Sequence, residues 1–461
     1  MFKTSKFLLM LTMLMVVIVM TSTLFPFIVG KYVFFRIVVD LALIFFLLGL
    51  LFDDRHSSAI YRHLSALYKN PLVIAVSAFV GIFLLAGFFG VDPHFSFWSN
   101  FERGEGGIQM LHFYIFFILI LSLFREEKDW RELFWWALGG GVLMGIYGLL
   151  AGGGMQGFVG ARFSDPGFRF QGSIGNPAYV AIYVLFTSFY ALYLLATEYK
   201  KKLTSSGALA IFGSLAFFAV IFLLAATRGA FIGLIAAVVV ALGYLGFTNK
   251  KWRKKLSISV GIVVVIVGIL IAFQGSPVVQ KIPGSRIFDI TTTAKTFQDR
   301  AIMWKIAWNG FLDRPALGWG PENYLNIFDA DFNTAYFKPA EGFGAWFDRA
   351  HSIVFDYLAE TGILGFLAYV SMFISLLYLF WKSNSDQHKS AQISINQRQP
   401  VATPVSPFER ALFVGIIVAY LIQGLVLFDV SVTYINLFTV LAFATYKFGD
   451  QDKISNLKSQ K

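Results

Sequence analysis

Residues 208–247 read ALAIFGSLAFFAVIFLLAATRGAFIGLIAAVVVALGYLGF, and this stretch decides the fold class. Its 40 residues carry one charge, Arg228, near the centre. A helix of about 20 apolar residues crosses the hydrocarbon core of a bilayer. The stretch therefore predicts two membrane-spanning helices that meet at Arg228, and the basic clusters at 200–202 and 250–255 mark the opposite ends of both helices.

The composition of the whole chain agrees with a membrane protein. Of the 461 residues, 57% are hydrophobic and only 14% are charged, and the mean hydropathy is +0.67. A soluble protein has about a quarter of its residues charged, so that class is excluded. The net charge of +11 comes from short basic clusters between apolar runs, which argues against a nucleic-acid partner. With no cysteine, the chain has no disulfide, thiolate metal site or cysteine nucleophile.

Apolar windows of bilayer length predict an all-α polytopic membrane protein with about twelve transmembrane helices. The predicted spans are 7–29, 33–52, 72–90, 108–124, 132–151, 178–197, 208–226, 229–247, 254–273, 351–381, 408–428 and 430–448. The first is interpreted as a span because it is too long for a signal peptide. Of the 38 Lys and Arg residues, 24 lie in the tails and connections on the N-terminal side of the membrane. The positive-inside rule then puts both termini in the cytoplasm.

These spans divide the chain into four parts. Residues 1–273 hold spans 1–9, residues 274–350 form a large extracytoplasmic loop, residues 351–448 hold spans 10–12, and residues 449–461 form a cytoplasmic tail. A loop of this length is expected to fold. Within it, residues 298–312 show the pattern of an amphipathic helix rich in Trp, expected along the outer membrane surface. Residues 382–407 are polar and aperiodic and predict a flexible cytoplasmic linker.

Three side chains on the predicted outer side are candidates for chemistry. Arg228 either anchors its hairpin at the interface or binds a ligand, and position alone leaves both interpretations open. Arg300, on the amphipathic helix, is ordinary for a surface helix but able to grip a phosphate with two N–H groups. His351, just before the tenth span, is either an interfacial residue or a base. Together, two arginines and a histidine suit a phosphate clamp with a base.

Further candidates are weaker. Arg162, Arg169 and Asn176 lie in the glycine-rich outer loop 160–177, where the arginines would add to an anion site. Glu360 follows His351 by nine residues and is expected to pack at a helix interface. The pattern Asp329-Ala-Asp331 matches a divalent-ion motif of some glycosyltransferases, but two acids in a loop are common and we expect no metal there. No zinc spacing, Walker motif or dinucleotide motif occurs in the sequence.

Several short motifs follow one another in a family-specific order. They are R-x-x-G-S-x-G-N-P at 169–177, T-R-G-A at 227–230, D-R-x-x-x-W at 299–304, G-x-G-x-x-x-Y at 318–324, A-H-S at 350–352 and E-T-G-I-L-G at 360–365. In this order, the region 160–380 resembles the O-antigen ligase and polymerase superfamily of bacterial membrane glycosyltransferases. The resemblance implies that Arg228 and Arg300 bind the diphosphate of an undecaprenyl-linked glycan and that His351 activates the acceptor.

The reaction implied by the resemblance is glycan transfer from undecaprenyl diphosphate to an acceptor hydroxyl at the outer face of the cytoplasmic membrane. The family works without metal, and we expect no cofactor. In-line attack on the anomeric carbon should invert it, and Arg169 of the outer loop is expected as an additional diphosphate ligand. Ligase, polymerase and protein O-oligosaccharyltransferase differ in the acceptor: a lipid-anchored core sugar, another glycan or a protein. We expect a sugar acceptor, because no helical-repeat C-terminal domain follows the last span. Of the two sugar-acceptor activities we expect a ligase, with a polymerase as the nearest alternative. A polyprenyl-glycan transporter is the alternative from another class, but it would place charges at mid-span.

Overall fold

The computed structural model describes residues 1–100, 103–153, 162–163, 167–251, 253–282, 284–289, 295–334, 347–397 and 405–449. This part of the chain is helical and contains no β-strand. The helices, α1 to α17 in chain order, are Phe2–Leu11, Val29–Phe52, Asp54–Leu67, Pro71–Phe88, Pro93–Trp98, Gly107–Leu123, Glu127–Gly152, Pro177–Thr197, Ser206–Ala225, Arg228–Thr248, Arg253–Ala272, Pro277–Gln280, Lys295–Asp313, Tyr324–Ala330, Ile353–Gln397, Pro407–Gly424 and Ser431–Phe448. Short 3₁₀ turns occupy Thr12–Val17, Gly172–Ile174 and Ser285–Phe288.

Among these described residues, nine helices are long and apolar enough to cross a membrane. They are α2, α4, α7, α8, α9, α10, α11, α15 up to Ser383, and α16. The expectation of a multi-pass helical membrane protein is confirmed, while the count of twelve spans stays a prediction. Of the other three predicted spans, 108–124 corresponds to α6, which is apolar but has only 17 residues. The last, 430–448, corresponds to α17, which lies almost entirely inside the bundle and carries polar residues there.

The predicted first span, 7–29, is not one continuous helix. Helical structure ends at Val17, and the chain then reverses direction, with the Met20 N–H donating to the Pro26 carbonyl at 2.9 Å. The Lys31 ammonium donates to the carbonyl of Ile18 at 2.6 Å and so satisfies a backbone group after the helix end. A window of hydropathy cannot register this reversal, because the turn is as apolar as the helix.

The predicted linker 382–407 is also different in the structure. Helix α15 continues to Gln397, so residues 382–397 are helical, whereas 398–404 lie outside the described part. The polar composition suggested a flexible segment, but the sequence has neither Gly nor Pro between Gly365 and Pro400. Without a helix breaker, the helix extends past the apolar segment.

Many helices begin at a sequence signal that combines a cap with proline. Asn70, Asn176 and Ser406 each accept a backbone hydrogen bond with their side chain, and each precedes a Pro at the first helical position. The side-chain oxygen satisfies a free N–H group of the first turn, and Pro has no N–H to leave unsatisfied. These junctions position the ends of α4, α8 and α16.

The bundle is centred on α8 and α17, whose residues form much of one continuous hydrophobic core. Helix α10 packs along α16, where Gly233 allows close contact because a Cβ there would lie 2.7 Å from the Ala419 carbonyl oxygen. In contrast, α11 has no buried residue and contacts α10 at the edge of the bundle. Packing at the centre of the bundle therefore brings α8 and the ends of α10 and α16 next to one another.

The segment 274–350 contains the predicted amphipathic helix, now α13, together with α14. Its apolar face, with Met303, Ile306 and Ala307, packs on Tyr324 and Ile327 in a second, smaller hydrophobic cluster. Its position relative to a membrane surface stays a prediction. The packing shows that α13 is attached to α14 and to the start of α15 through this cluster.

The turn after α13 binds the backbone of α15 where that helix is interrupted. The Trp319 N–H donates to the Ala359 carbonyl at 2.9 Å and the Gly320 N–H to the Glu360 carbonyl at 2.8 Å. These carbonyls are available because Gly362, with φ +63°, interrupts the helix. Only glycine adopts this backbone easily, which explains the G-x-G and E-T-G motifs.

Candidate active site

A cavity of about 520 Å³ brings together five of the residues selected from the sequence. They are Arg169, Asn176, Arg228, Arg300 and His351. Its wall also contains charged residues that sequence reasoning did not select, which are Lys31, Arg103, Glu105 and Arg286. The five residues come from segments spread over almost 200 positions of the chain, so the tertiary fold assembles the site.

The N-terminus of α10 faces this cavity through Thr227, Arg228 and Gly229. Ala226, in a left-handed conformation with φ +46°, separates α9 from α10 and makes the tight hairpin expected around Arg228. The Arg228 guanidinium donates to the Arg286 carbonyl at 3.2 Å and forms an ion pair with Asp289. A helix N-terminus carries a partial positive charge and free N–H groups, so this end of the cavity favours anions.

Arg169 extends from the loop before α8 into the same region. It donates from Nε to the Ala225 carbonyl at 3.1 Å and from Nη2 to the Thr227 hydroxyl at 2.9 Å. Burial, together with the nearby positive charges of Arg286, Arg228 and Arg300, lowers the pKa of Arg169 to about 10. Arg169 thus binds a carbonyl at the C-terminal end of α9, and its charge adds to a cluster of arginines.

Arg300 reaches this cluster from α13. It is partly buried, and it has no hydrogen bond or ion pair with any residue in the described part of the chain. Burial lowers its pKa, and Arg228 acts in the same direction. We call Arg169, Arg228, Arg286 and Arg300 the guanidinium cluster. Asp289 is the one carboxylate paired with any of the four among the described residues, so the cluster carries a net positive charge.

His351 lies at the other side of the cavity, two residues before α15. Its ring contacts Phe347 and Phe428 edge-on, with ring centroids 5.0 and 5.1 Å away. Its Nδ1 is 3.0 Å from the Arg349 carbonyl oxygen. Since a carbonyl only accepts, Nδ1 carries the proton and Nε2 is the basic nitrogen.

The imidazole of His351 is neutral at physiological pH. Burial lowers its pKa to about 4, and the positive charges of Arg300 and Arg103 contribute to the lowering. A neutral imidazole can accept a proton, whereas an imidazolium cannot. Its backbone has φ +58°, an uncommon conformation for a residue with a side chain. Neighbouring contacts must therefore hold it.

A buried ion-pair network behind His351 provides those contacts. Arg349 is almost fully buried and pairs with Glu322 and, at 2.6 Å, with Glu360. Asp356 accepts a hydrogen bond from the Ala350 N–H at 2.7 Å. Because Arg349 and Ala350, the two residues before His351, are bound to buried carboxylates, the ring has a defined orientation.

A second ion pair fixes the residue before Arg349. Asp348 binds Arg103 in a two-bond arrangement, one bond being 2.8 Å long. The Arg103 guanidinium holds the pKa of the Asp348 carboxyl below its usual value. Arg103 also lies over the ring of Phe428, 5.0 Å from its centroid. The segment from Asp348 to Ala350 is therefore attached to the rest of the bundle at three successive residues.

The remaining sequence candidates have different positions. Asn176 lines the cavity, but its side chain caps α8 by accepting from the Ala178 N–H at 2.9 Å. Arg162 is exposed and is not part of the cavity wall. Glu360 is buried, pairs with Arg349 and does not line the cavity. Asp331 accepts a hydrogen bond from Asn309 at 2.5 Å, and no group of three or more potential metal ligands occurs among the described residues.

Sequence reasoning missed Arg349, although it stands in the D-R-A-H-S motif. A usable signal was present: Arg349 lies two residues before the candidate histidine, and Glu360 follows Arg349 by eleven residues on an apolar helix. A carboxylate in such a helix needs a cationic partner, which indicates an Arg349–Glu360 pair. The contributions of Arg286 and Glu322 had no comparable signal. Both lie in loops whose spatial neighbours are distant in sequence.

The region that contains Arg228, Arg300 and His351 also matches a known protein family. Residues 213–370 match the family model described as O-antigen ligase. This confirms the resemblance to the O-antigen ligase superfamily over that region, and the motifs at 227–230, 299–304 and 350–352 lie inside it. No curated protein matches the chain. The chain is thus a multi-pass membrane protein in which residues 213–370 are similar to the O-antigen ligase family.

Proposed function

We propose that this protein transfers a glycan from undecaprenyl diphosphate to an acceptor hydroxyl, most closely as an O-antigen ligase does. The observation that supports this best is the guanidinium cluster, with its uncompensated positive charge, in one cavity with the neutral base His351. A diphosphate carries the negative charge that such a cluster binds, and a hydroxyl nucleophile requires a proton acceptor nearby.

In this proposal Arg228, Arg300 and Arg169 bind the diphosphate of the donor. Arginine offers paired N–H groups whose planar geometry matches phosphate oxygens. Apolar residues of the same cavity wall, among them Phe25, Phe27 and Ile28, suit the first isoprene units of the carrier. The positive charges also stabilise the diphosphate as it leaves, because its negative charge grows while the glycosidic bond breaks.

His351 acts as the base in the transfer step. Its Nε2 takes the proton of the acceptor hydroxyl, and the oxygen forms a bond to the anomeric carbon. The bond between that carbon and the diphosphate oxygen breaks, its electron pair stays on the undecaprenyl diphosphate, and the proton later passes from His351 to solvent. Attack opposite to the leaving group inverts the anomeric carbon. Arg349 is a positioning residue, because its carbonyl fixes the tautomer of His351.

The acceptor and the orientation are part of the proposal. Ligase, polymerase and protein O-oligosaccharyltransferase activities use the same step, and a lipid-anchored core sugar is the acceptor we propose. The basic clusters support cytoplasmic termini, which puts the site on the outer side of the cytoplasmic membrane. The cluster is formed at helix ends and in connecting segments, which favours an enzyme over a polyprenyl-glycan transporter.

The test is transfer by the purified protein from a defined undecaprenyl-diphosphate glycan, with EDTA present, to core-sugar, glycan and peptide acceptors. We expect product with the core sugar, and an inverted linkage. His351→Ala should abolish turnover while donor binding is retained, and Arg228→Ala should abolish donor binding. His94→Ala is the matched control, because His94 is exposed and does not line the cavity. Full turnover by His351→Ala would contradict the base, and product with none of the acceptors would contradict the proposed activity.

A further inference from the structure

Three side chains of the cavity wall each carry a buried polar atom that has no hydrogen-bond partner among the described residues. The atoms are Oε2 of Glu105, the hydroxyl of Tyr179 and Oε1 of Gln423. The side chains are 5%, 6% and 2% exposed. An unpaired buried polar atom costs about 1–3 kcal/mol, so three in one cavity wall need an explanation.

The same side chains are otherwise well anchored. Glu105 accepts from the Ser431 N–H at 2.7 Å with its other oxygen, and Gln423 donates from Nε2 to the Ala178 carbonyl at 2.9 Å. The ring of Tyr179 contacts Phe428, with centroids 5.8 Å apart. Each side chain is therefore held with one polar atom left for another partner.

Their positions follow the path that a bound donor would take. Gln423 lies beside the guanidinium cluster, since its Cγ is 3.9 Å from the point where Gly229 would carry a Cβ. Tyr179 and His351 both contact the ring of Phe428 edge-on. The three side chains thus line the region that joins the guanidinium cluster to His351.

The chemistry of these atoms selects against phosphate. The amide oxygen of Gln423 only accepts hydrogen bonds, and a phosphate oxygen also accepts, so the two repel each other, as a phosphate and the ionised Glu105 carboxylate do. Burial raises the pKa of Glu105 to about 7, so its neutral form can also donate to a sugar oxygen. Hydroxyl and amide N–H groups of a sugar donate, and a tyrosine hydroxyl can pair with either kind of group. Next to a diphosphate site, the group that fits these atoms is a saccharide.

We propose that Glu105, Tyr179 and Gln423 form a subsite for the sugar joined directly to the carrier diphosphate, an inference that rests on the proposed function. Hydrogen bonds from this sugar orient its anomeric carbon toward His351. The protein then binds a sugar-bearing carrier diphosphate more tightly than the bare carrier diphosphate, while the guanidinium cluster serves both ligands.

The experiment compares two ligands with the full-length protein in nanodiscs: undecaprenyl diphosphate, and undecaprenyl diphosphate that carries one N-acetylhexosamine. We expect the wild-type protein to prefer the second. Tyr179→Phe, which removes one atom, should lower this preference about two- to tenfold, the value of one hydrogen bond. Glu105→Gln, which replaces an acceptor by a donor, should lower it at least as much. Both variants should bind the bare diphosphate as the wild type does.

Tyr183→Phe is the matched control, because Tyr183 is a buried residue of the same helix whose hydroxyl donates to the Ala137 carbonyl away from the cavity. It should leave the preference unchanged. An equal affinity of the wild type for both ligands, or an unchanged preference in Tyr179→Phe and Glu105→Gln, overturns the subsite and leaves diphosphate binding intact. If the wild type binds neither ligand, or Arg228→Ala binds both normally, the proposed function itself fails.

Discussion

Neutralising Arg300 should separate ligand binding from folding. The substitution Arg300→Met keeps an unbranched stem of similar length and removes only the guanidinium. In the folded protein this group has no partner among the described residues, and it lies near the like charges of Arg228 and Arg169. Its removal therefore breaks no hydrogen bond or ion pair among the described residues and reduces repulsion. The free energy of unfolding should change by no more than about 0.5 kcal/mol, the usual range for a position without structural partners.

The effect on the donor should be much larger. A charge-assisted contact in a partly buried site costs about 2–5 kcal/mol when one partner is removed. At 1.4 kcal/mol for each factor of ten, the dissociation constant for undecaprenyl diphosphate should rise roughly 30-fold to a few thousand-fold. Arg300→Lys should recover only part of the loss, because an ammonium group cannot make two parallel hydrogen bonds to phosphate.

The assay measures two quantities on the same samples: the dissociation constant for undecaprenyl diphosphate, and the thermal midpoint without ligand. Lys305→Met is the control, because Lys305 is an exposed cation on the same helix, α13, and does not line the cavity. It should change neither quantity. A large drop in the midpoint of Arg300→Met, with a dissociation constant like that of the control, would refute the binding role and make Arg300 a structural residue.

Three other outcomes are expected. Arg349→Met leaves the buried carboxylates of Glu322 and Glu360 without their cation, so stability should fall by about 3–5 kcal/mol and turnover should be lost. Thermal unfolding and a transfer assay would detect both effects, and an unchanged midpoint contradicts the network. The pKa of His351 is lowered to about 4 and its neutral form is active, so kcat/KM should be constant from pH 7 to 5 and fall at lower pH. In Arg300→Met the fall in kcat/KM should begin at a higher pH, because one positive charge that lowers the pKa of His351 is gone; a fall at the same pH as in the wild type would contradict the influence of Arg300 on this pKa. Gly362→Ala puts a Cβ 2.4 Å from a neighbouring carbonyl at positive φ, so the midpoint should fall as for a strain of at least 1–3 kcal/mol, whereas Gly261→Ala, which has open space, should be neutral.

Much of the architecture could be predicted from the sequence because it depends on local patterns. Long apolar runs predict spans whatever lies around them, and a cap residue before Pro, as at Asn176, predicts a helix start. The same reasoning was wrong at residues 18–28, where an apolar segment turns back on itself, and at residues 382–397, where a polar segment stays helical. In both places the outcome depends on contacts or on the absence of breakers and not on hydropathy.

The candidate residues could be selected from the sequence because a charge near an apolar segment is costly and needs a reason. That argument yielded Arg228, Arg300 and His351 one at a time, and it included Arg162, which is not in the cavity wall. It could not assign the partners of Arg349, the residue whose carbonyl binds the His351 ring, because Glu322 and Glu360 reach Arg349 from two separate segments.

By itself, the sequence determined that the protein is a helical membrane protein and which few charged residues are unusual. Hydropathy and capping depend on residues that are close in sequence, so they can be recognised from the sequence alone. Only the tertiary structure decided that Arg169, Arg228 and Arg300 share one cavity with His351, and that Arg349 holds the histidine in place. Electrostatic repulsion, burial and hydrogen bonding depend on distances in space, and those distances exist only after α8, α10, α13 and α15 have packed together.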